Sequence, residues 1–305
     1  MADRGGSEGV AETVSEPVPV SIPGHVAAVV GWPVAHSMSP RLHSFWLQEQ
    51  GLDGTYLALP VAPDGFETAI RGLAAAGFRG LNVTVPHKLR AYDIADRRDS
   101  AAEAIGAVNT LVFHADGTIE GRNTDSYGFI ENLLRHGVDP AAGPALLIGA
   151  GGAARAAVHG LLAAGCPQGR IANRTRATAE TLVQRMQDAD PAARGERLRV
   201  VDMDAVADAM ADAALLVNTT SLGMKGQPPL PLDPGPLPDH AVVHDIVYVP
   251  LQTGLLAAAA ARGLKTVDGL GMLLHQAEPA FEAFFGVSVR VTEELRNQVV
   301  AGLGQ

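Results

Sequence analysis

The feature that most constrains this chain is an apolar run that breaks into glycines and resumes as an alanine-rich segment, over residues 145–158. Gly149, Gly151 and Ala154 match the pattern G-x-G-x-x-G/A. In that pattern the first glycine permits a tight strand-to-helix turn, the second lets a pyrophosphate approach the backbone, and a small third residue lets helix and strand pack closely. The run predicts a dinucleotide-binding unit, although a methyltransferase or a plain tight turn would use similar glycines.

The stretch after this turn indicates which dinucleotide the unit binds. A second strand is predicted over 169–173, and it delivers Asn173, Arg174 and Thr175 about 20 residues after the glycines. An NAD-binding unit usually carries an acidic residue there for the ribose 2′-hydroxyl, whereas an arginine beside small polar groups suits a 2′-phosphate. The sequence therefore favours NADP(H) over NAD as the cofactor.

Composition and charge limit the classes of function. The 305 residues are 47% hydrophobic, which is enough for two domains with their own cores. The formal net charge of -10 disfavours a nucleic-acid or anionic-membrane surface, because either needs clustered lysines and arginines. The single cysteine, Cys166, excludes an internal disulfide framework. Since the sequence has no apolar stretch of about 18 residues and no signal pattern, we expect a cytoplasmic protein.

The pattern of strands and helices predicts an α/β protein of two domains. Residues 1–24, rich in Gly, Ser, Glu and Pro, are expected to be a disordered tail. Residues 25–125 are expected to form a substrate-binding and catalytic α/β domain, and 126–268 an NADP-binding Rossmann domain with a doubly wound parallel sheet. Residues 269–305 are expected to be C-terminal helices that pack back on the first domain.

Local signals predict particular elements. Asp64 and Glu67 have the spacing of a capping box at the start of a helix. One continuous helix is expected over 270–285. Trp32 and Trp46 are expected in hydrophobic cores rather than against a ligand.

Polar side chains at two strand ends are the candidates for chemistry. Asn82 and Thr84 point to the same face of a predicted strand because side chains alternate, and Lys88 follows them. A second polar break ends at Asp125. A lysine that meets an aspartate in a pocket closed by nicotinamide can supply the proton that accompanies hydride transfer to a ketone. The alternative is a surface lysine and an aspartate that caps the following helix.

Two further sets of residues have simpler explanations. Ser37 and Ser39 precede a predicted helix, where hydroxyls are ordinary caps and also a suitable cradle for a carboxylate. His36, His43 and His87 form no His-Glu-x-x-His or His/Cys cluster, so no metal site is expected and packing explains them better than catalysis.

Together, these motifs resemble those of the shikimate dehydrogenase family. Besides the glycine turn and the Ser37 region they are Asn82-Val-Thr-Val-Pro-His-Lys88, Gly106-Ala-Val-Asn-Thr110, Asn123-Thr-Asp125, Asn218-Thr-Thr-Ser-Leu-Gly-Met224 and Asp268-Gly-Leu-Gly-Met272 with Gln276. The resemblance covers about residues 26–287. It implies reversible, NADPH-dependent reduction of 3-dehydroshikimate to shikimate, a step of the shikimate pathway to chorismate and the aromatic amino acids.

The resemblance also implies which residues form the site. The implied substrate residues are Ser37, Ser39, Asn82, Thr84, Lys88, Asn109, Asp125, Tyr248 and Gln276. Among them the two serines would hold the carboxylate, and Lys88 and Asp125 would be the catalytic pair. The implied cofactor residues are Gly149, Ala150, Gly151, Gly152, Ala153, Asn173, Arg174, Thr175, Ile246, Gly269 and Met272.

The chain departs from the family pattern in the 2′-phosphate clamp. Many members carry a second basic residue where this chain has Thr178, and Arg176 is a nearby substitute. A quinate or aminoshikimate dehydrogenase and a non-catalytic NADP-binding sensor are the alternatives, and the proton donor Lys88 argues against the sensor. We expect a small-molecule substrate and no nucleic acid or membrane partner, and the sequence leaves a homodimer open.

Overall fold

The computed structural model describes residues 24–303, so all but the last position of the predicted tail lies outside the described residues. The N-terminal part of the chain forms a mixed six-stranded sheet in the order β2-β1-β3-β5-β6-β4. Its strands are β1 (His25–Gly31), β2 (Gly54–Pro60), β3 (Gly80–Val83), β4 (Arg97–Arg98), β5 (Thr110–Phe113) and β6 (Ile119–Arg122). Its helices are α1 (Ser39–Glu49), α2 (Phe66–Ala75), α3 (Lys88–Ile94) and α4 (Ser100–Ile105).

Strand β1 shows why this part is layered. It is parallel to β2 on one side and to β3 on the other, and its last five residues are buried. Ala27 and Val29 pack on one side with Trp46 of α1, whereas Ala28 and Val30 pack on the other with Phe66 of α2. Because side chains alternate along a strand, a run of apolar residues needs helices on both sides of the sheet.

The second sheet has the predicted doubly wound order. All six strands are parallel, in the order β12-β11-β10-β7-β8-β9. The strands are β7 (Ala145–Ile148), β8 (Gly169–Ala172), β9 (Leu198–Val201), β10 (Leu215–Asn218), β11 (Val242–Asp245) and β12 (Lys265–Val267). The helices between these strands are α6 (Gly152–Ala163), α7 (Arg176–Ala189), α8 (Val206–Met210) and α9 (Gly254–Ala261). The order reverses between β7 and β10, and ligands of such sheets bind at the carboxyl ends of the strands there.

Two helices join the sheets. Helix α5 (Asp125–Arg135) follows the first sheet, and α10 (Leu270–His275) follows the second and lies against α5. Gly128 permits the close contact, because a Cβ there would lie 2.6 Å from the carbonyl oxygen of Met272. Beyond α10, α11 (Ala277–Phe285) packs on β1 and β3, and α12 (Glu293–Leu303) packs on α1. The C-terminal helices therefore return to the first sheet, as predicted.

The continuous helix expected over 270–285 is wrong. The segment forms α10 and α11, which are divided at Gln276. Pro279 lacks the N–H that would bond the carbonyl of His275, so the hydrogen-bond ladder of α10 cannot continue unchanged. The break places Gln276 at the junction of the two helices.

Two other local predictions also need correction. Asp64 and Glu67 do not form a capping box, because a 3-10 turn, Pro63–Gly65, precedes α2 and contains Asp64. Trp46 is fully buried and its indole N–H donates to a backbone carbonyl at 3.1 Å, but Trp32 is 50% exposed. The prediction of a core position therefore holds only for Trp46.

Two histidines are fully buried, one in each part of the chain. The ring of His43 is stacked on Tyr56 with centroids 3.9 Å apart, and neither of its nitrogens has a hydrogen-bond partner among the described residues. His244 lies in β11, with Nε2 3.3 Å from the Asn132 side-chain nitrogen. Burial lowers the pKa of His43 to about 3 and the pKa of His244 to about 4.

These two histidines should make the fold sensitive to acid. Below the usual histidine pKa of 6.5, the unfolded chain takes up protons that the folded chain does not bind. The free energy of unfolding should therefore fall with decreasing pH, by about 1.4 kcal/mol per pH unit for each ring. Urea unfolding at about pH 7.5 and about pH 5.5 measures this loss. His43→Phe should reduce the loss, whereas the exposed control His240→Gln should leave it unchanged; the same loss in His43→Phe as in the wild type would contradict the assignment.

Candidate active site

The carboxyl ends of strands from both sheets face a cleft of about 350 Å³. Every residue of the implied substrate set lines it. Most of these residues lie within the first 125 residues, in or next to the strands and helices around the first sheet, whereas Tyr248 follows β11 and Gln276 lies between α10 and α11. Ile246, Gly269 and Met272 of the implied cofactor set also line the cleft. One space thus brings together residues that are far apart in the sequence.

A lysine and an aspartate form an ion pair inside this cleft. Lys88 is the first residue of α3, and its Nζ donates to Oδ2 of Asp125 at 2.5 Å. Both side chains are largely buried. The alternative of a surface lysine and a capping aspartate is wrong, because Thr124 occupies the N-cap position of α5 and the Asp125 carboxylate faces Lys88. A cation within hydrogen-bond distance of a carboxylate can hold a proton at a defined point of the cleft.

Asn109 fixes the other oxygen of the Asp125 carboxylate. Its Nδ2 donates to Oδ1 of Asp125 at 2.8 Å, and its own Oδ1 accepts from the backbone N–H of Thr124 at 2.9 Å. Gln276 is close to the same amide, with Oε1 3.4 Å from Nδ2 of Asn109. The carboxylate therefore has a partner on each oxygen and a restricted orientation.

Asn82 is held from within the protein. Its Oδ1 accepts from the hydroxyl of Tyr56 at 2.6 Å, and its Nδ2 donates to Oγ1 of Thr110 at 3.1 Å. Sequence reasoning missed Tyr56, and no motif marks it. Thr110 and Thr124 lie inside the family motifs, but the resemblance implies roles only for their neighbours Asn109 and Asp125.

The two serines lie at the start of α1. Oγ of Ser37 accepts from the backbone N–H of Ser39 at 3.3 Å, whereas Met38 occupies the N-cap position of the helix. Ser39 is buried and Ser37 is partly exposed toward the cleft. Across the cleft, burial raises the pKa of Tyr248, so its phenol keeps its proton near neutral pH. These hydroxyls can donate hydrogen bonds to an anionic or hydroxylated ligand.

The glycine turn has the geometry that its sequence predicted. Gly149 has a φ of 114°, and a Cβ there would lie 2.6 Å from Oγ1 of Thr219. At Gly151 and Gly152, by contrast, an added Cβ would meet no atom of residues 24–303 within 4 Å. Ala154 is fully buried, which brings α6 close to the sheet. The open backbone at the start of α6 fits a pyrophosphate, since free N–H groups and the helix dipole favour an anion there.

The predicted 2′-phosphate clamp is only partly preorganised. Nδ2 of Asn173 donates to the backbone oxygen of Thr175 at 2.8 Å, which shapes the loop after β8. Arg174 is exposed and makes no hydrogen bond or ion pair with any other part of residues 24–303. Arg176 is not a free substitute for the missing second basic residue, because it pairs with Glu180 at 2.8 Å and also with Asp202.

The other two histidines of the motifs, His87 and His36, lie in different surroundings. His87 packs on Phe66 and its Nε2 lies 2.7 Å from the carbonyl oxygen of Val61, while His36 is exposed at the cleft. Within residues 24–303, no group of three or more His, Cys, Asp or Glu side chains could hold a metal ion. Among the helices of that range, none has the length and apolarity to cross a membrane.

Comparisons with known proteins agree with this geometry. A family model described as the shikimate dehydrogenase substrate binding domain matches residues 29–111, and one described as shikimate / quinate 5-dehydrogenase matches residues 137–225. A shikimate dehydrogenase (NADP(+)) of Paramagnetospirillum magneticum is 56% identical over 279 residues, which cover 90% of this chain and 98% of that protein. The chain belongs to the shikimate dehydrogenase family. A second relative of the same name, from Rhodospirillum rubrum, is 51% identical over 277 residues, with 90% and 96% covered.

Solved structures of the shikimate dehydrogenase family have the same fold. Shikimate 5-dehydrogenase of Thermus thermophilus, in complex with NADP(H) and shikimate, is 35% identical with a TM-score of 0.80, covering 91% of this chain and 99% of that one. Quinate dehydrogenase of Corynebacterium glutamicum, in complex with NAD, is 29% identical with a TM-score of 0.84 and the same coverage. The two-domain α/β architecture with a Rossmann-type sheet is therefore established.

The two kinds of glycine in the turn should respond differently to an added methyl group. Gly149→Ala introduces a strained backbone and a contact with Thr219, so it should lower the free energy of unfolding by about 1–3 kcal/mol. Gly152→Ala is the control, because its methyl enters open space at a helical position and should cost little. Urea unfolding of both variants checks this; equal stability of the two variants would refute the steric explanation.

Proposed function

We propose that this chain catalyses the reversible reduction of 3-dehydroshikimate to shikimate with NADPH, the step of the shikimate pathway that leads towards chorismate and the aromatic amino acids. The observation that supports it most is the contact of 2.5 Å between Lys88 and Asp125 in the cleft. Family membership supports the substrate and the cofactor.

In the proposed reaction, the Lys88 ammonium donates its proton to the carbonyl oxygen of the substrate. When bound, NADPH supplies the hydride that the carbonyl carbon accepts. The carbonyl becomes a hydroxyl, Lys88 is left as a neutral amine, and it regains a proton from water. In the reverse direction the neutral amine accepts the hydroxyl proton. Asp125 orients Lys88 through the ion pair and keeps the ammonium at the reacting oxygen.

Substrate recognition is assigned to the polar groups around this pair. Ser37 and Ser39 bind the carboxylate, and Asn82 supports the wall between them and the catalytic pair. The groups that hydrogen-bond the hydroxyls of the substrate are Thr84, Asn109, Tyr248 and Gln276. Because protein contacts hold the amides of Asn109 and Gln276, a ligand without matching hydroxyls leaves polar groups of the cleft unpaired.

Cofactor binding is assigned to three places. The pyrophosphate lies on the turn formed by Gly149, Ala150, Gly151, Gly152 and Ala153. The 2′-phosphate binds Asn173, Arg174 and Thr175. The nicotinamide lies against Ile246, Gly269 and Met272, which line the cleft near the catalytic pair.

The proposal includes the organisation and location of the protein. Residues 25–125 form the catalytic domain, 126–268 the NADP-binding domain, and the helices after 269 complete the first domain. We place the protein in the cytoplasm, without a nucleic acid or membrane partner, and as a monomer or homodimer.

An assay at about 340 nm, where NADPH absorbs, with shikimate or quinate and with NADP or NAD tests the function. The proposal expects one dominant pair, shikimate with NADP. Dominance of quinate with NAD would favour the quinate alternative, and no turnover with any of the four pairs would favour a non-catalytic sensor.

Replacing the proton donor should slow the chemical step. Lys88→Ala should lower kcat by about a hundredfold or more and change KM for shikimate much less, because general acid–base assistance is worth about 10²–10⁴ in rate. Steady-state kinetics with shikimate and NADP measures both. Lys265→Ala, far from the cleft, is the matched control and should be active. Wild-type turnover in Lys88→Ala would remove Lys88 from the mechanism.

Replacing Arg174 should change which cofactor the enzyme prefers. Arg174→Gln should raise KM for NADP by about 10- to 100-fold, since it removes charge-assisted hydrogen bonds, while the activity with NAD should be unaffected. The control is Arg199→Gln, which removes an exposed arginine from the neighbouring strand β9. Equal losses with NADP and NAD would show that Arg174 does not recognise the 2′-phosphate.

A further inference from the structure

A line of hydrogen bonds runs from the protein interior to the catalytic aspartate. The hydroxyl of Tyr56 donates to Oδ1 of Asn82 at 2.6 Å, and Nδ2 of Asn82 donates to Oγ1 of Thr110 at 3.1 Å. Oγ1 of Thr110 donates to Oδ1 of Asn109 at 3.1 Å, and Nδ2 of Asn109 donates to Oδ1 of Asp125 at 2.8 Å. Each group in the line donates a hydrogen bond to the next group, in the direction of Asp125.

The direction of this line follows from the chemistry of its ends. An ionised carboxylate only accepts hydrogen bonds, so Asn109 must present its NH₂ group to Asp125. The amide oxygen of Asn109 then faces Thr110, whose single hydroxyl proton points to it. The lone pairs of Thr110 are left for the NH₂ group of Asn82, and the oxygen of Asn82 accepts from Tyr56. Burial raises the pKa of Tyr56 above its usual range, which keeps the phenol a donor.

Two members of this line do not touch the cleft. Asn82, Asn109 and Asp125 line it, whereas Tyr56 and Thr110 are buried behind it. The hydroxyl of Thr110 bonds both asparagine side chains, and no other group of residues 24–303 does so. An amide that turned over would place an oxygen against an acceptor, and in the case of Asn109 that acceptor is the Asp125 carboxylate.

We propose that Thr110 and Tyr56 are positioning residues for the reaction. Together they hold both ends of the Asn82 amide, and Thr110 joins the backbone N–H of Thr124 in holding the oxygen of Asn109, so that the NH₂ group of Asn109 faces Asp125. They do so without lining the cleft. The kinetic part of this inference depends on the proposed function. The orientation of the two amides is a property of the protein alone.

Thr110→Val is the test, because valine has nearly the shape of threonine but lacks the hydroxyl. We expect kcat with shikimate and NADP to fall by about 10- to 100-fold and KM for shikimate to rise several-fold, while KM for NADP stays the same. Thr110→Ser keeps the hydroxyl and should restore both values. Thr181→Val, which removes an exposed hydroxyl from α7, should behave as the wild type.

A merely structural role predicts a different result. If Thr110→Val only reduced the fraction of folded enzyme, apparent kcat would fall and KM for shikimate would stay at the wild-type value. That outcome, or a loss in Thr110→Ser equal to that in Thr110→Val, would overturn the proposal. Tyr56→Phe provides a second variant. As in Thr110→Val, KM for shikimate should rise and kcat should fall.

The amides can also be observed without turnover. The side-chain NH₂ resonances of Asn82 and Asn109 in an NMR spectrum should shift in Thr110→Val and remain in Thr110→Ser and Thr181→Val. Unchanged resonances in Thr110→Val would overturn the positioning role even if its activity were reduced. An inactive wild-type protein would refute the proposed function, but the resonances would still test the orientation of the amides.

Discussion

A carboxylate that is mostly withdrawn from water is the constraint around which the cleft is arranged. Asp125 begins α5, and it is compensated by the ammonium of Lys88 on one oxygen and by the amide of Asn109 on the other. A partly buried charge that loses its partner is costly, so the helix that carries Lys88 and the strand that carries Asn109 must keep their relative positions. The first sheet provides this, because α3 follows β3 after a short turn, Asn109 directly precedes β5, and β3 and β5 are paired.

The features that were predictable from the sequence are those that arise from local chemistry. The turn after β7 needs glycine because of its positive φ, and the alternation of strands and helices predicts the parallel sheet. The resemblance to a family supplied the residues that line the cleft. The resemblance also implied that Lys88 and Asp125 form a pair, but the distance of 2.5 Å between them depends on how α3 and α5 are placed in space.

Other features depend on neighbours that the sequence does not reveal. Tyr56 lies in β2 and bonds Asn82 in β3, although β1 runs between these strands. Arg176 looked available for a phosphate, but Asp202 at the end of β9 comes close enough to pair with it. Trp32 is half exposed because it follows the last residue of β1 and lies outside the hydrophobic clusters on both sides of the first sheet. In each case tertiary contacts decided the outcome.

The contact between α5 and α10 has a mechanical consequence. The chain passes from the first sheet to the second through α5 and returns through α10, and these helices touch where Gly128 leaves room for the backbone. Both covalent connections therefore lie side by side at this contact, and the relative position of the two halves depends on how closely the two helices pack. Bulk added at Gly128 would change the angle between the halves before it touched any ligand.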